Sequence, residues 1–340
     1  MGKCLLCKIN EADKKGSHIV PHFLLKRIDN LEGKKGRDYE LGFVLEESDT
    51  KSYFGRSVQP EKLEEVFGGI SEEDITRNRS ISVVDNIFCS SCENRLAIIE
   101  AEYAHTLANS SNEVYRSGCK SEIGLLFWMS VVWRMSIHRQ YGTWLTTGEE
   151  EICRRVLNRY LTTSISSIDV DKMKSDKDLK KVSYKLMRAP NYSDEHTTFL
   201  HFHPLFRYPY SILLDEYILL FSLKGNFVQL KDFYGMKDEI GQAPINKLGT
   251  DEKILPIAED KMATVNLNAV NRIKDLKLSK INKWLDKIHI KLGGKGANMP
   301  ASIKQQVFDE ITSDEKKIGM KYTTKDIFTS IMKVLSKYAK

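Results

Sequence analysis

The chain has 340 residues, long enough for two or three domains with at least one sizeable core, and its 41% hydrophobic content excludes a disordered polymer. Lys and Arg number 52 against 46 Asp and Glu, a net charge of +6 that leans basic but falls far short of a histone-like polycation, so the distribution of charge matters more than its sum. The longest apolar stretch, residues 123–137, is too short for a bilayer and carries Arg134, which argues against a membrane span.

Three regions follow in chain order, with no internal repeat. Residues 1–110 carry a Cys and His constellation interrupted by an insertion at about 30–80, where a strand-like YELGFVLEE precedes a short helix, PEKLEEVF. Its leading proline and trailing Gly-Gly mark the ends of that helix. From Glu93, apolar residues at Leu96, Ile99, Tyr103 and Leu107 have helical spacing. Residues 111–190 read as helices: 121–141 is apolar on nearly every side, as in a helix buried by its neighbours, and 148–163 is amphipathic. Residues 191–340 open with HTTFLHFHPLF and SILLDEYILLFSLKGNFVQL, whose β-branched and aromatic content around a Lys-Gly-Asn turn predicts antiparallel strands. After about 243 the pattern predicts helices near 265–291, 300–312 and 323–338, the first of them basic. The expected class is α+β, with a mostly helical remainder and a small antiparallel sheet.

Four of the six cysteines form two Cys-x-x-Cys pairs, Cys4/Cys7 and Cys89/Cys92. Thiolates are soft ligands, and two intervening residues let a tight turn present both sulfurs to one ion, so the pairs predict a tetrahedral zinc site that closes a long loop. Cys119 and Cys153 lie in apolar or helical settings and are expected to be buried. The start of the chain shows no apolar h-region, so no signal peptide is read and a cytoplasmic, reducing location is the expectation.

The order of motifs is knuckle, Ser17-His18-Ile19-Val20-Pro21, knuckle, then Glu93-Asn94 opening a helix. This resembles the HNH, or ββα-metal, endonucleases built on a treble-clef zinc scaffold. It also resembles a group of bacterial proteins of unassigned role that share Ser-His-Ile-x-Pro-x-Phe, Cys-x-x-Cys-Glu and a later Trp-Arg, here Trp133-Arg134. The resemblance covers roughly the first third of the chain. It implies an N-terminal nuclease module with structural zinc, His18 as general base, and Glu93 as ligand of a catalytic Mg²⁺ or Mn²⁺. A neutral imidazole can take a proton from water, and a hard cation on carboxylate oxygen offsets charge growing on a phosphate. The chain departs from the family at Ser17, where the pattern carries Asp or another ligand; His22, Asn94, Asp85 and Asn86 are the residues that could fill the gap. Glu100 is too far along the helix to share an ion with Glu93, and is expected instead to neutralise Arg134.

The implied activity is hydrolysis of phosphodiesters, of DNA in first place, in a bacterial anti-phage or mobile-element context with a protein partner from the same operon. The alternatives are a non-catalytic zinc-stapled module that binds nucleic acid or protein, and an RNase on the same scaffold. Elsewhere, His201 and His203 share a strand face but fit a core or surface role better than a metal pair, and KLGGKGANMP at 291–300 reads as a loop. In RIKDLKLSKINKWLDKIHIK, Ile273, Leu276, Ile281, Trp284, Leu285 and Ile288 supply an apolar stripe. Lys277, Lys280, Lys283, Lys287 and Lys291 crowd the remainder and could contact phosphates; a solvated helix face is the plainer alternative.

Overall fold

The structure, a computed structural model, describes residues 2–25, 41–45, 50–54, 83–139, 145–190, 192, 200–313 and 324–338. The PEKLEEVF segment lies outside the described residues. The chain divides into two compact units, residues 1–35 with 80–269, and residues 36–79 with 270–340.

In chain order the elements begin with β1 (Ser17–His18), the single turn α1 (His22–Leu25), β2 (Leu41–Leu45), β3 (Thr50–Phe54) and β4 (Val83–Val84). Helix α2 (Ser90–Ala104), strand β5 (Tyr115–Arg116), and helices α3 (Ser121–His138), α4 (Thr147–Tyr160) and α5 (Val170–Ser175) follow. Then come β6 (Ser183–Arg188), β7 (Leu200–Arg207), β8 (Tyr210–Leu214), β9 (Tyr217–Ser222), helix α6 (Lys237–Gln242), β10 (Asn246–Lys247) and β11 (Lys253–Pro256). Helices α7 (Glu259–Lys291), α8 (Ala301–Ile311) and α9 (Thr324–Leu335) close the chain.

The first unit is organised on a seven-stranded sheet in the order β5-β11-β6-β9-β8-β7, with β10 also paired to β6. Its pairs are antiparallel except β11 with β6. Strands β8 and β9 are buried along their whole length, which fits the apolar runs ILL and YILLF on either side of Asp215-Glu216. Tyr217, Leu219 and Phe221 of β9 join the core under α2, α3 and α4, while Ile218 and Leu220 turn to a second core with Phe233, Met236, Met262 and Val265.

The sheet is larger than the small antiparallel one expected, because β6 and β11 fall where helices were expected. Strand β6, SYKLMR, begins with polar/apolar alternation over only four residues, too short to stand out, and its polar Ser183, Lys185 and Arg188 are buried where the pattern would place them in water. The hairpin between β8 and β9 turns at Asp215-Glu216, with Asp215 left-handed at φ 50, rather than at Lys-Gly-Asn, which ends β9.

Helix α3 is buried along its length from Ile123 to Ser136, as its all-round apolar sequence predicts. Gly124 is needed there: a Cβ would lie 2.5 Å from the Tyr184 hydroxyl and 2.6 Å from a Glu252 carboxylate oxygen. Helix α4 opens with a capping box, in which Thr146 and Glu149 satisfy each other's backbone N–H groups.

In the second unit, β2 and β3 form an antiparallel hairpin. The C-terminal half of α7 packs with α8 and α9 through Leu285, Val307, Ile331 and Val334. Trp284, placed in the apolar stripe by spacing, is instead 43% exposed, while Leu285 beside it is fully buried. No helix among the described residues is long and apolar enough to cross a membrane.

Candidate metal centre and the polar cluster beside it

The first knuckle is a tight turn. Lys8 takes a left-handed φ of 58, its N–H bonding to the Cys4 carbonyl at 2.8 Å, and the Leu5 N–H is anchored on the Ile87 carbonyl at 2.9 Å, just ahead of the second pair. Cys89 is the N-cap of α2, which carries Cys92 in its first turn. That N-terminus is satisfied from outside the helix by Asp13, whose Oδ1 accepts from the Ser90 N–H at 2.8 Å.

The result is convergence of the four sulfurs within 4.8 Å of one another, and Cys4, Cys7, Cys89 and Cys92 therefore lie close enough to bind a metal such as zinc. Cys7 Sγ and Cys89 Sγ are 4.0 Å apart, close to the roughly 3.8 Å edge of a tetrahedron with Zn–S bonds of ~2.3 Å. Donors surround the sulfurs: the Ile9 N–H reaches Cys7, Asn10 Nδ2 reaches Cys89, and Arg95 Nη2 reaches Cys92 at 3.0 Å. Burial pushes the Cys4 and Cys92 thiols up. Burial works against Cys7 as well, yet the Asn10 and Ile9 N–H groups and the neighbouring cysteines bring it down to about 6. A divalent cation offsets the burial penalty, because it is thiolates that it binds. Asn10 and Arg95 were not singled out in the sequence, though each stands three residues beyond a ligand, where a knuckle or a helix turn brings it back.

Against this staple lie β1, β4 and α2. Ser17 pairs with Val84 and His18 with Val83. Ser17, fully buried, donates its hydroxyl to Glu93 Oε2 at 3.0 Å, so residues 76 positions apart in sequence meet here. His18 is the next residue along the strand, its Cα about 3.8 Å from that of Ser17. Its carbonyl accepts from Arg134 Nη1 at 2.8 Å. Arg134 also lies 2.6 Å from Glu100 Oε1, the ion pair expected from the sequence, although that oxygen receives no aligned hydrogen bond. Burial raises the pKa of Glu93, opposed by the Ser17 hydrogen bond and the Arg134 charge, with Glu100 adding to the rise.

The other candidates distribute unevenly. Asn94 is exposed on α2. Asp85 accepts the Gly16 N–H at 2.8 Å, and Asn86, left-handed at φ 59, donates its backbone N–H to the Lys14 carbonyl; both shape the approach to β1. The side chains of His22 and His203 lie outside the described residues. His201 is buried with Nε2 2.8 Å from the Tyr234 hydroxyl, a core histidine. Lys280, Lys283, Lys287 and Lys291 are exposed along α7 in the second unit, and Lys277 is partly so. Residues 291–300 form the expected loop after α7, with Gly293 and Gly296 left-handed.

Among the described residues, the four cysteines are the one group of three or more His, Cys, Asp or Glu able to share an ion. Glu93 offers a single carboxylate, with one oxygen engaged by Ser17. Mg²⁺ retains several waters and commonly uses one or two carboxylates together with substrate phosphate, so this donor chemistry fits a site that the phosphate completes. No family model matches the chain, and no curated protein or solved structure matches it.

Proposed function

We propose that the chain is a zinc-stapled, metal-dependent endonuclease of HNH type, acting on DNA. The observation that carries this reading is the meeting of β1 with the start of α2 at Ser17 and Glu93, beside four clustered sulfurs. In this reading, the zinc staple sets the strand against the helix. His18 takes the proton from the attacking water, and Arg134 fixes the strand that carries it by holding the His18 carbonyl. Glu93 holds the divalent ion, which when bound offsets charge on the phosphate. The lysines of α7 supply sequence-tolerant contacts to backbone phosphates, and an operon partner would select the target or the moment of cleavage.

A second reading is favoured by one specific observation. The Ser17 hydroxyl and the Arg134 charge already stabilise the Glu93 carboxylate from inside the protein, as a nuclease scaffold turned to binding alone would allow. Incubation of plasmid DNA and of RNA with Mg²⁺, Mn²⁺ or EDTA, alongside His18→Ala and Glu93→Ala, separates the readings. Metal-dependent nicking is expected, reduced on the order of 10²-fold or more in each variant. Nicking retained by both variants would overturn the assignment. Intact DNA binding with no nicking by any form supports the binding module, and cleavage of RNA alone supports a ribonuclease.

A further inference from the structure

We infer that α7 carries a binding site for single-stranded nucleic acid centred on Trp284. The site lies outside the chemistry assigned to His18 and Glu93, and its test succeeds or fails independently of cleavage.

Positions 277, 280, 284, 287 and 291 advance in steps of three and four residues, close to the helical repeat of about 3.6, so Lys277, Lys280, Trp284, Lys287 and Lys291 share one face. Between residues 272 and 291 the acidic residues are Asp275 and Asp286, displaced from Trp284 by roughly 180° and 200° around the axis. Asp286 is committed elsewhere: Oδ1 accepts the Met299 N–H at 2.8 Å and pairs with Lys304 at 2.7 Å. Between residues 272 and 291 the lysine face is therefore cationic with no acidic residue of that stretch on it.

Trp284 is 43% exposed, while Ile281, Leu285 and Ile288 of the same helix pack in the core formed with α8 and α9. Trp284, Lys287, Ile288, Ile290 and Lys291 line a shallow cleft of about 300 Å³. Lysines spaced along about 21 Å of helix can follow a phosphate backbone, and the indole offers a face on which an unpaired base can stack. A duplex keeps its bases stacked on each other and gains only the lysine contacts. A lipid surface would need an open apolar face opposite the lysines; here Ile281, Leu285 and Ile288 are taken up by packing on α8 and α9.

The test is fluorescence anisotropy of the full chain, in buffer without added Mg²⁺ or Mn²⁺ so that no cleavage occurs and any metal held by the cysteines is kept, with a labelled oligodeoxynucleotide and with the same sequence as a blunt duplex. Single strand is expected to bind more tightly than duplex. Trp284→Ala is expected to lose roughly 5- to 150-fold in single-strand affinity and little for duplex, with an unchanged salt slope. Trp284→Phe retains most of the affinity, and Lys287→Gln with Lys291→Gln weakens both ligands and reduces the salt slope by about one per lysine. Thermal melting confirms that each variant is folded. Equal affinity of Trp284→Ala and the parent for single strand, a preference for duplex, or capture only of a polyglutamate peptide or of anionic vesicles would each overturn the inference.

Discussion

Two carboxyl groups in the first unit, one buried and one half-buried, invite comparison. Glu93 sits where β1 meets α2, and Glu252 sits between α3 and the sheet; burial raises the pKa of both. Glu252 is 1% exposed and enclosed by donors: Tyr103 reaches it at 3.1 Å, Tyr184 bonds to its other oxygen, and Trp128 in turn donates to the Tyr103 hydroxyl at 2.9 Å. Nothing can approach it, and Gly124 leaves no room even for a methyl group beside it. Glu93 is only partly buried, and its neighbours are a hydroxyl and a guanidinium. A raised carboxyl pKa therefore marks desolvation, which both share. Access and chemically varied neighbours are what make one of them a candidate site and the other a structural knot.

The sharpest break in that comparison comes from the four sulfurs that lie beside Glu93. Cys89→Ser is expected to lose one equivalent of zinc by elemental analysis and to cost ~5 kcal/mol or more, since metal binding and folding are coupled. Chelation should lower the melting temperature of the parent and leave Cys89→Ser unaffected. Next in size, Glu252→Ala strips the acceptor from two buried tyrosines and is expected to cost about 3–4 kcal/mol in chemical denaturation. Glu252→Gln keeps an acceptor and should cost ~1 kcal/mol. Cleavage per folded molecule should be unchanged in both; its loss in a folded Glu252→Gln protein would erase the distinction between the two carboxyls.

How much of this was legible in the sequence differs between the two places. The cysteine cluster was readable because Cys-x-x-Cys spacing encodes a local turn, and only the meeting of the two pairs required the fold. The Arg134–Glu100 pair was readable because an arginine within so apolar a helix needs a counter-charge, and Glu100 was at hand on a neighbouring helix. The Ser17–Glu93 contact was not: a hydroxyl at the position of a family ligand reads as a deficit, and nothing local shows that it will donate to the carboxylate. Glu252 was invisible because it precedes a four-residue strand in a stretch expected to be helical, and its tyrosine partners come from 149 and 68 residues away. Trp284 was placed in the apolar stripe by its spacing together with Leu285, but the two lie about 100° apart around the axis and the core settles on Leu285.

A smaller effect tests whether Arg134 belongs to the Glu93 cluster or merely to the core. Glu100→Gln leaves a guanidinium that is 1% exposed without its counter-charge and should cost ~2–3 kcal/mol. Arg134→Met leaves Glu100, whose side chain is 21% exposed, able to reach water, and should cost less. The double variant should cost less than the sum of the two, because removing both groups leaves no stranded charge. Full additivity in urea denaturation would mean that the pair is not coupled in the folded state.

The smallest effect lies in the pH dependence of stability, where two carboxyls near the knuckle pull in opposite directions. Burial raises the pKa of Glu93, so between the unfolded value of ~4.3 and the folded one the folded chain binds the proton more tightly and stability falls as pH rises. Glu151 of α4 behaves oppositely. Hydrogen bonding from Arg154, aided by Lys8 of the knuckle, lowers it to about 2, so its contribution is present above ~4.3 and is lost as pH falls toward 2. That pair is solvent-exposed and its contribution is correspondingly small. Glu93→Gln should flatten only the decline on the alkaline side of ~4.3, and Glu151→Gln only the loss in acid, both read from melting temperatures across pH 3–7. An unchanged pH profile in Glu93→Gln would mean that the Ser17 hydrogen bond and the Arg134 charge together cancel its burial, and the carboxylate would then be held as firmly as any structural one.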